Sequence, residues 1–299
     1  MQALATRSIP ITPQGRRWLG VGLAVVGFVL LAQTLLSHGI QGDGGGGGLD
    51  AIAYWTAGQN VLHGQPLYGL VSGSFTAYLY PPVFAQLVAP LTLLPLPAFV
   101  WLWRLFELVG LRVATGSWQR AGWALLVFPP ILAEFDAANV HLILAGVAAL
   151  AMRGTTWAIG PATLLKFASV PLVPLGWLAD RRQLLLGALV TAVVVGVSML
   201  ATWPAWVQFV QFLGNTTFAH GWYNIGEYVP LPLRLAGSVV CGFAALRWRR
   251  LAPVAVLLAY PIVWLHSLST LVAVATPLPE RAKAAQTTVV DRAPQPQPA

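Results

Sequence analysis

The chain has 299 residues, of which 57% are hydrophobic and only 9% are charged, and its formal net charge is +8. Soluble domains carry about a quarter of their residues as Asp, Glu, Lys and Arg, so this composition excludes a water-soluble globular protein. The apolar runs are long enough to cross about 30 Å of hydrocarbon as helices, and they lack the alternation of a transmembrane barrel. We therefore predict an all-α, polytopic integral membrane protein.

Most basic residues are arginines at the ends of apolar runs, as the positive-inside rule produces, so we expect no nucleic-acid partner. Candidate spans in chain order are residues 18–36, 83–103, 121–134, 138–152, 156–179, 184–203, 229–246 and 252–276. Arg16 and Arg17 place the N-terminus in the cytoplasm, and the first run is long enough to stay as an anchor. The long loop 37–82 then lies outside the membrane.

Asp50 opens an amphipathic segment within this outer loop, and we predict an interfacial helix over residues 50–63. Asp is also a preferred N-cap residue, because its carboxylate satisfies free backbone N–H groups. The local sequence leaves both roles open for Asp50: a cap, or a positioned carboxylate at the membrane surface.

If residues 156–179 formed a single span, Arg181 would lie on the outer side of the membrane, which the positive-inside rule disfavours. Two short arms meeting near Lys166 avoid this placement, so we predict a broken-helix hairpin with Arg153 and Arg181 on the same side. The run 252–276 is either one span or a second broken pair, with His266 near its turn. Residues 1–276 form one transmembrane domain in this interpretation, and 277–299 form a disordered tail.

The chain has only nine Asp and Glu residues, so each can be assigned to one side of the membrane. Glu107 and Asp180 fall near arginine-rich inner ends. Asp50 is the outer carboxylate on a predicted ordered element. The other outer carboxylates near spans are expected to be solvated in turns and loops: Glu134, Asp136 and Glu227.

Among the basic residues, Lys166 and Arg234 fall in the outer half of the membrane. Ionisable groups at that depth usually face a functional interior, so the pair is a possible site for a lipid phosphate; snorkelling to the headgroups is the alternative. His220 and His266 are the candidate functional histidines. No zinc-ligand spacing and no nucleotide-binding fingerprint occurs, so we expect neither metal nor cofactor.

The first outer loop combines Asp50 and Tyr54 with Tyr80 and the two prolines that follow it, and a later segment reads YPIVWLHS around His266. In these blocks, across about residues 49–270, the chain resembles glycosyltransferase family 87, which includes actinobacterial α-1,2-mannosyltransferases that use polyprenyl-phosphate-mannose. It departs from the family pattern at Val263, where a serine is common, and in its glycine run 44–48.

The resemblance implies a helical bundle of the GT-C type that moves a hexose, mannose in the best-understood members, from a polyprenyl-phosphate donor to a hydroxyl of an envelope glycolipid or glycan. It implies Asp50 as general base in an inverting displacement at the outer face of the cell membrane. Lys166, Arg234 and His266 would then contact the donor phosphate. The expected sugar-binding residues are Tyr54, Trp55, Tyr80, His220, Trp222 and Tyr223. A transporter of lipid-linked sugar, or an inactive relative, is the alternative.

Overall fold

The computed structural model describes residues 47–68, 77–215 and 224–279, together with isolated positions in the N-terminal run. Every regular element in these ranges is helical, which confirms the predicted helical bundle. Most of the predicted anchor 18–36 and most of the tail lie outside the described residues.

The α-helices are α1 (Leu49–Leu62), α2 (Pro82–Val88), α3 (Leu96–Thr115), α4 (Trp118–Val127), α5 (Pro129–Ala137), α6 (His141–Arg153), α7 (Ile159–Ala162), α8 (Val173–Ala201), α9 (Trp203–Asn215), α10 (Leu231–Ala244) and α11 (Ala252–Leu258). The 3₁₀ segments are Ala89–Leu93, Phe167–Leu172, Ile225–Tyr228, Arg249–Leu251 and His266–Ala275.

Prolines divide the apolar runs more often than the hydropathy pattern predicts. The run 83–103 breaks at Leu94, ahead of Pro95, and the run 121–134 breaks at Phe128, ahead of Pro129. A residue before proline is disfavoured in the helical region, which explains both breaks. The run 252–276 is also a broken pair, since α11 ends at Leu258 and a 3₁₀ segment begins at His266.

The segment predicted as a hairpin leaves α6, reverses near Lys166 and returns into α8. Lys166 has an extended backbone, with φ −151° and ψ 140°. The two ends of the excursion meet, because the Thr156 hydroxyl donates to the Asp180 carbonyl at 2.8 Å. The start of the excursion also packs closely on the later part of α8, where a Cβ on Gly187 would lie 2.0 Å from the Trp157 carbonyl oxygen.

Helix α6 is the central element of the described bundle and is buried along nearly all of its length. It packs closely on α3, where a Cβ on Gly110 would lie 2.5 Å from the Leu142 carbonyl oxygen. The glycine is therefore required by the close approach of two backbones. The N-terminal end of α6 carries His141 into the interior, and its other end carries Arg153.

One described stretch, Phe167–Ala201, is long and apolar enough to cross a membrane. Only 17% of its apolar window is buried in the bundle, and Leu200 is 89% exposed. The core helix of a soluble protein would bury such residues. Exposed apolar side chains also occur on other elements, among them Leu105, Val109, Val210 and Val240.

Candidate active site

The start of α1 is fixed against the end of α5. The Gly48 amide donates to the Asp136 carbonyl at 2.5 Å, and Gly48 adopts a left-handed conformation, φ 76°, at the N-cap position. Asp50 lies one residue inside the helix, and no side-chain capping hydrogen bond is made. The N-cap interpretation of Asp50 is therefore wrong: its carboxylate is not used as a cap.

Asn139 is the centre of a buried polar cluster. Its Oδ1 accepts hydrogen bonds from the Tyr54 hydroxyl at 3.1 Å, the Tyr80 hydroxyl at 3.0 Å and the Lys166 Nζ at 3.2 Å. The two tyrosine oxygens are themselves 2.7 Å apart. One amide thus joins α1, the Tyr80 turn and the apex of the hairpin, which are far apart in sequence.

The backbone around Asn139 is held in a specific conformation. Ala138 has φ 54° and ψ 55°, an unfavourable region for a residue with a Cβ. The Trp103 indole N–H donates to the Asn139 carbonyl at 2.7 Å, and the Val140 amide donates to Oδ1 at 2.7 Å. Residues held in strained conformations cluster at functional sites, and this one aims the Asn139 side chain into the cluster.

Lys166 continues the cluster toward α6. Its Nζ lies 2.9 Å from His141 Nε2, and His141 Nδ1 lies 2.8 Å from Glu134 Oε2. The other Glu134 oxygen accepts the His141 backbone N–H at 2.6 Å. Because the Lys166 ammonium can only donate, His141 Nε2 accepts its hydrogen bond. His141 Nδ1 therefore carries the ring proton and donates a hydrogen bond to Glu134. The snorkelling interpretation of Lys166 is wrong, since its ammonium is directed into the protein.

His266 lies beside the same groups. Its Nε2 is 3.5 Å from Asn139 Nδ2, and its ring centroid is 5.2 Å from that of His141. The Trp264 ring stacks on it with an interplanar angle of 13°. The structure therefore brings Lys166 and His266, two of the three residues predicted to contact the donor phosphate, together at Asn139.

Asp50 faces this cluster from α1. Burial raises the pKa of its carboxyl from 3.8 to about 7, against the lowering influence of the Lys166 charge and of the Asn139 side chain; the Glu134 charge raises it further. A carboxyl with a pKa near neutrality can both accept and release a proton at physiological pH. The Asp50 carboxyl therefore lies close to Lys166 and forms a hydrogen bond with the Asn139 side chain.

Arg234 has a different environment from the one predicted. Its Nε donates to the Val229 carbonyl at 3.0 Å, one terminal nitrogen donates to the Tyr260 carbonyl, and the other donates to the Pro261 carbonyl at 2.8 Å. These bonds hold the break between α11 and the 3₁₀ segment that begins at His266. Arg234 thus supports the backbone beside the site.

Of the aromatic residues predicted to bind sugar, Tyr54 and Tyr80 contact the polar cluster and Trp55 does not. The Tyr54 ring is fully buried against Tyr80, Phe84 and Trp103, so only its hydroxyl reaches the cluster. Tyr80 is 5% exposed, and its ring lies 5.5 Å from Lys166 Nζ. The Trp55 indole N–H donates to the Leu94 carbonyl at 3.0 Å, away from the cluster. Predictions for His220, Trp222 and Tyr223 lie outside the described residues.

Two acidic groups, Glu134 and Glu107, lie elsewhere than the sequence predicts, and His141 is a further residue of the cluster that was not a candidate. Glu134 is fully buried and paired with His141, so the expectation of a solvated turn is wrong. Glu107 is also fully buried, and its environment includes Glu134, Asp50 and Arg104, so its assignment to an inner end is wrong. A signal was present for His141, which directly follows Asn139 and Val140 at the start of an apolar run.

Glu134, His141 and His266 each offer a ligand atom, and these atoms lie within 4.8 Å of one another, which is compatible with a divalent cation. The Lys166 ammonium already contacts His141 Nε2 at 2.9 Å. A metal ion in the cluster would have to compete with this fixed positive charge, so the donor set does not fit a metal well. The absence of a metal from the reaction stays a prediction.

Comparison with known proteins identifies the family of the chain. No curated protein and no solved structure gives a significant match to the chain. The model of glycosyltransferase family 87 matches residues 78–285, which include Asn139, Lys166 and His266; Asp50 and Tyr54 precede the matched part. Because the match covers more than half of the chain, the protein belongs to glycosyltransferase family 87 and is indicated to be a glycosyltransferase.

Proposed function

We propose that this protein transfers a hexose, most simply mannose, from a polyprenyl-phosphate donor to a hydroxyl group of an envelope glycolipid or glycan. The observation that carries the proposal is the placement of the Asp50 carboxyl and the Lys166 ammonium around the single amide of Asn139. A glycosyl transfer needs a base for the acceptor and positive charge for a departing phosphate, and these two groups supply them.

In the proposed reaction the acceptor oxygen attacks the anomeric carbon and its proton passes to the Asp50 carboxylate. The bond between the anomeric carbon and the phosphate oxygen breaks, and polyprenyl phosphate leaves with the bonding electrons. Lys166 neutralises the charge that grows on that phosphate, and His266 donates a hydrogen bond to it. A single displacement of this kind inverts the anomeric configuration and needs no nucleophilic carboxylate.

His141 and Glu134 act through Lys166 in this proposal. Glu134 fixes the tautomer of His141, and the lone pair of His141 Nε2 holds the ammonium at 2.9 Å. Arg234 holds the segment that carries His266 rather than contacting phosphate. The aromatic residues Tyr54 and Tyr80 present hydroxyls that orient Asn139.

We further infer a multi-pass arrangement in residues 1–276 with the N-terminus in the cytoplasm and the site in the outer half of the membrane. Two features support it: arginines gather at the end of α6 opposite the site, and apolar side chains are exposed along α8. Cytoplasmic loops carry an excess of arginine. A lipid-linked donor would reach Lys166 from the surrounding bilayer.

The donor class is tested with purified protein in lipid, supplied with labelled mannose carried on polyprenyl phosphate or on a nucleoside diphosphate, and with envelope extracts as acceptors. We expect label in the acceptor only from the lipid-linked donor. Label arriving from the nucleotide donor would contradict the proposal, and so would movement of intact lipid-linked sugar across the bilayer without transfer, which is the behaviour of a transporter.

A further inference from the structure

A basic cavity lies at the opposite end of the bundle from the candidate active site. Its volume is about 520 Å³, and it is lined by Arg120, Trp248, Arg249 and Arg250 together with the chain segment 275–278. We call this set the basic pocket. Nothing in the proposed glycosyl transfer uses it.

The position of the basic pocket follows from two elements that begin at the site. Arg249 donates to the Met152 carbonyl at 2.6 Å, which places it at the far end of α6 from His141. Met152 is 11 positions beyond His141 along α6, so at a rise of about 1.5 Å per residue the pocket lies roughly 17 Å from the site. The 3₁₀ segment from His266 to Ala275 runs the same way.

The basic pocket carries an excess of positive charge. Its described lining contains three arginines and no acidic residue. None of the three forms an ion pair with a carboxylate among the described residues. Arg120 lies in the first turn of α4, and Arg249 and Arg250 lie in the 3₁₀ segment Arg249–Leu251 that precedes α11. The N-terminal end of a helix carries partial positive charge, so cations there are unfavourable unless an anion is bound.

One wall of the pocket is apolar and fixed. Thr276 donates to the Ala114 carbonyl at 2.7 Å, which anchors the segment containing Pro277 and Leu278 against α3. Trp248 is 60% exposed at the rim. Exposed tryptophan is typical of the membrane interface, where one side of the ring contacts lipid and the other contacts water.

From this combination we propose that the basic pocket binds the phosphate of an anionic phospholipid headgroup, with Arg120 and Arg250 as its main ligands and the apolar wall against the lipid backbone. Guanidinium groups suit phosphate because they offer parallel N–H donors. Basic pockets between helices on the cytoplasmic side of a membrane bind acidic lipid headgroups. The lipid source of the phosphate rests on the membrane placement given above.

The test compares thermal unfolding of the purified protein in a neutral detergent with added phosphatidylglycerol, phosphatidylcholine or inorganic phosphate. We expect phosphatidylglycerol at a hundredfold excess over its Kd to raise Tm by about 5 °C, and the other two additions to leave it unchanged. Native mass spectrometry of the same samples should show retained phosphatidylglycerol.

Two double variants make the assignment specific. Arg120→Gln with Arg250→Gln should weaken phosphatidylglycerol binding by about a hundredfold, because each charge-assisted hydrogen bond contributes about tenfold. Arg181→Gln with Arg182→Gln removes the same charge from exposed positions that do not line the pocket, and should bind as the native protein does.

Equal binding by native protein and pocket variant would overturn the proposal, as would equal stabilisation by phosphatidylcholine. Stabilisation by inorganic phosphate that matches phosphatidylglycerol would assign the pocket to a free anion and refute a lipid site. If the pocket variant has a native Tm without lipid, its loss of binding is not a folding defect. Sugar transfer is measured separately, so failure of either proposal is distinguishable from failure of the other.

Discussion

Replacing Asp50 by Asn should stabilise this protein at alkaline pH while removing its proposed base. Burial raises the pKa of the Asp50 carboxyl from 3.8 to about 7. The folded state therefore holds a proton that the unfolded chain releases above pH 3.8, so the free energy of unfolding falls as pH rises from about 4 to about 7. Asn carries no charge at any pH and avoids this loss.

The full difference between the two pKa values corresponds to about 4 kcal/mol above pH 7. Since the Asp50 side chain retains some contact with solvent, screening reduces the cost, and we expect about 2 kcal/mol to be realised. For a chain of this size that corresponds to a gain in Tm of about 4–8 °C for Asp50→Asn at pH 8. The gain should vanish near pH 4, where the native carboxyl is protonated in the folded state.

Thermal unfolding of native protein and Asp50→Asn in detergent, followed by tryptophan fluorescence at pH 4 and pH 8, measures this difference. Glu227→Gln is the matched control, because it removes a carboxylate from an exposed position. A gain of the same size at both pH values would refute the argument from burial. A lower Tm for Asp50→Asn at pH 8 would show that the ionised carboxylate stabilises the fold instead.

Three further predictions follow from particular contacts. Asn139→Ala should lower the free energy of unfolding by about 2–3 kcal/mol in chemical denaturation, because it leaves two buried hydroxyls and an ammonium without their acceptor; a loss below 1 kcal/mol would contradict its central place. Gly187→Ala should prevent native folding, judged by size-exclusion chromatography, since its Cβ would meet a carbonyl oxygen at 2.0 Å, whereas Gly196→Ala, with open space around it, should fold normally. In a cysteine-free background, Arg153→Cys and Arg181→Cys should be labelled by a membrane-impermeant thiol reagent from the same side; labelling from opposite sides would refute the hairpin topology.

Two ionisable side chains of the cluster, Lys166 and His266, stand out in the sequence because each lies within an apolar run. Lys166 and His266 are costly at membrane depth, so a common functional interior could be inferred for them before any contact was known. Asp50 could be singled out because few carboxylates occur and only one began a predicted outer helix. The helix itself was predicted over 50–63 and is observed over Leu49–Leu62.

Other parts of the site depend on tertiary contacts that a linear pattern does not encode. Asn139 carries no charge and is not part of a periodic hydrophobic pattern, yet its side-chain amide accepts hydrogen bonds from three distant segments. The sequence suggests that Glu134 lies in a solvated turn. Packing of the corner between α5 and α6 buries it instead, and that packing cannot be inferred from the local sequence. Helix α9 was missed, since its glutamines interrupt the apolar run that would have marked it.

The most direct test of the central claim is the rate of sugar transfer by native protein, Asp50→Asn and Lys166→Met in one preparation with a polyprenyl-phosphate-mannose donor. General-base catalysis and charge stabilisation each contribute about a hundredfold or more. We predict that each variant remains folded and loses transfer by at least about that factor. Transfer at the native rate by folded Asp50→Asn would contradict the account.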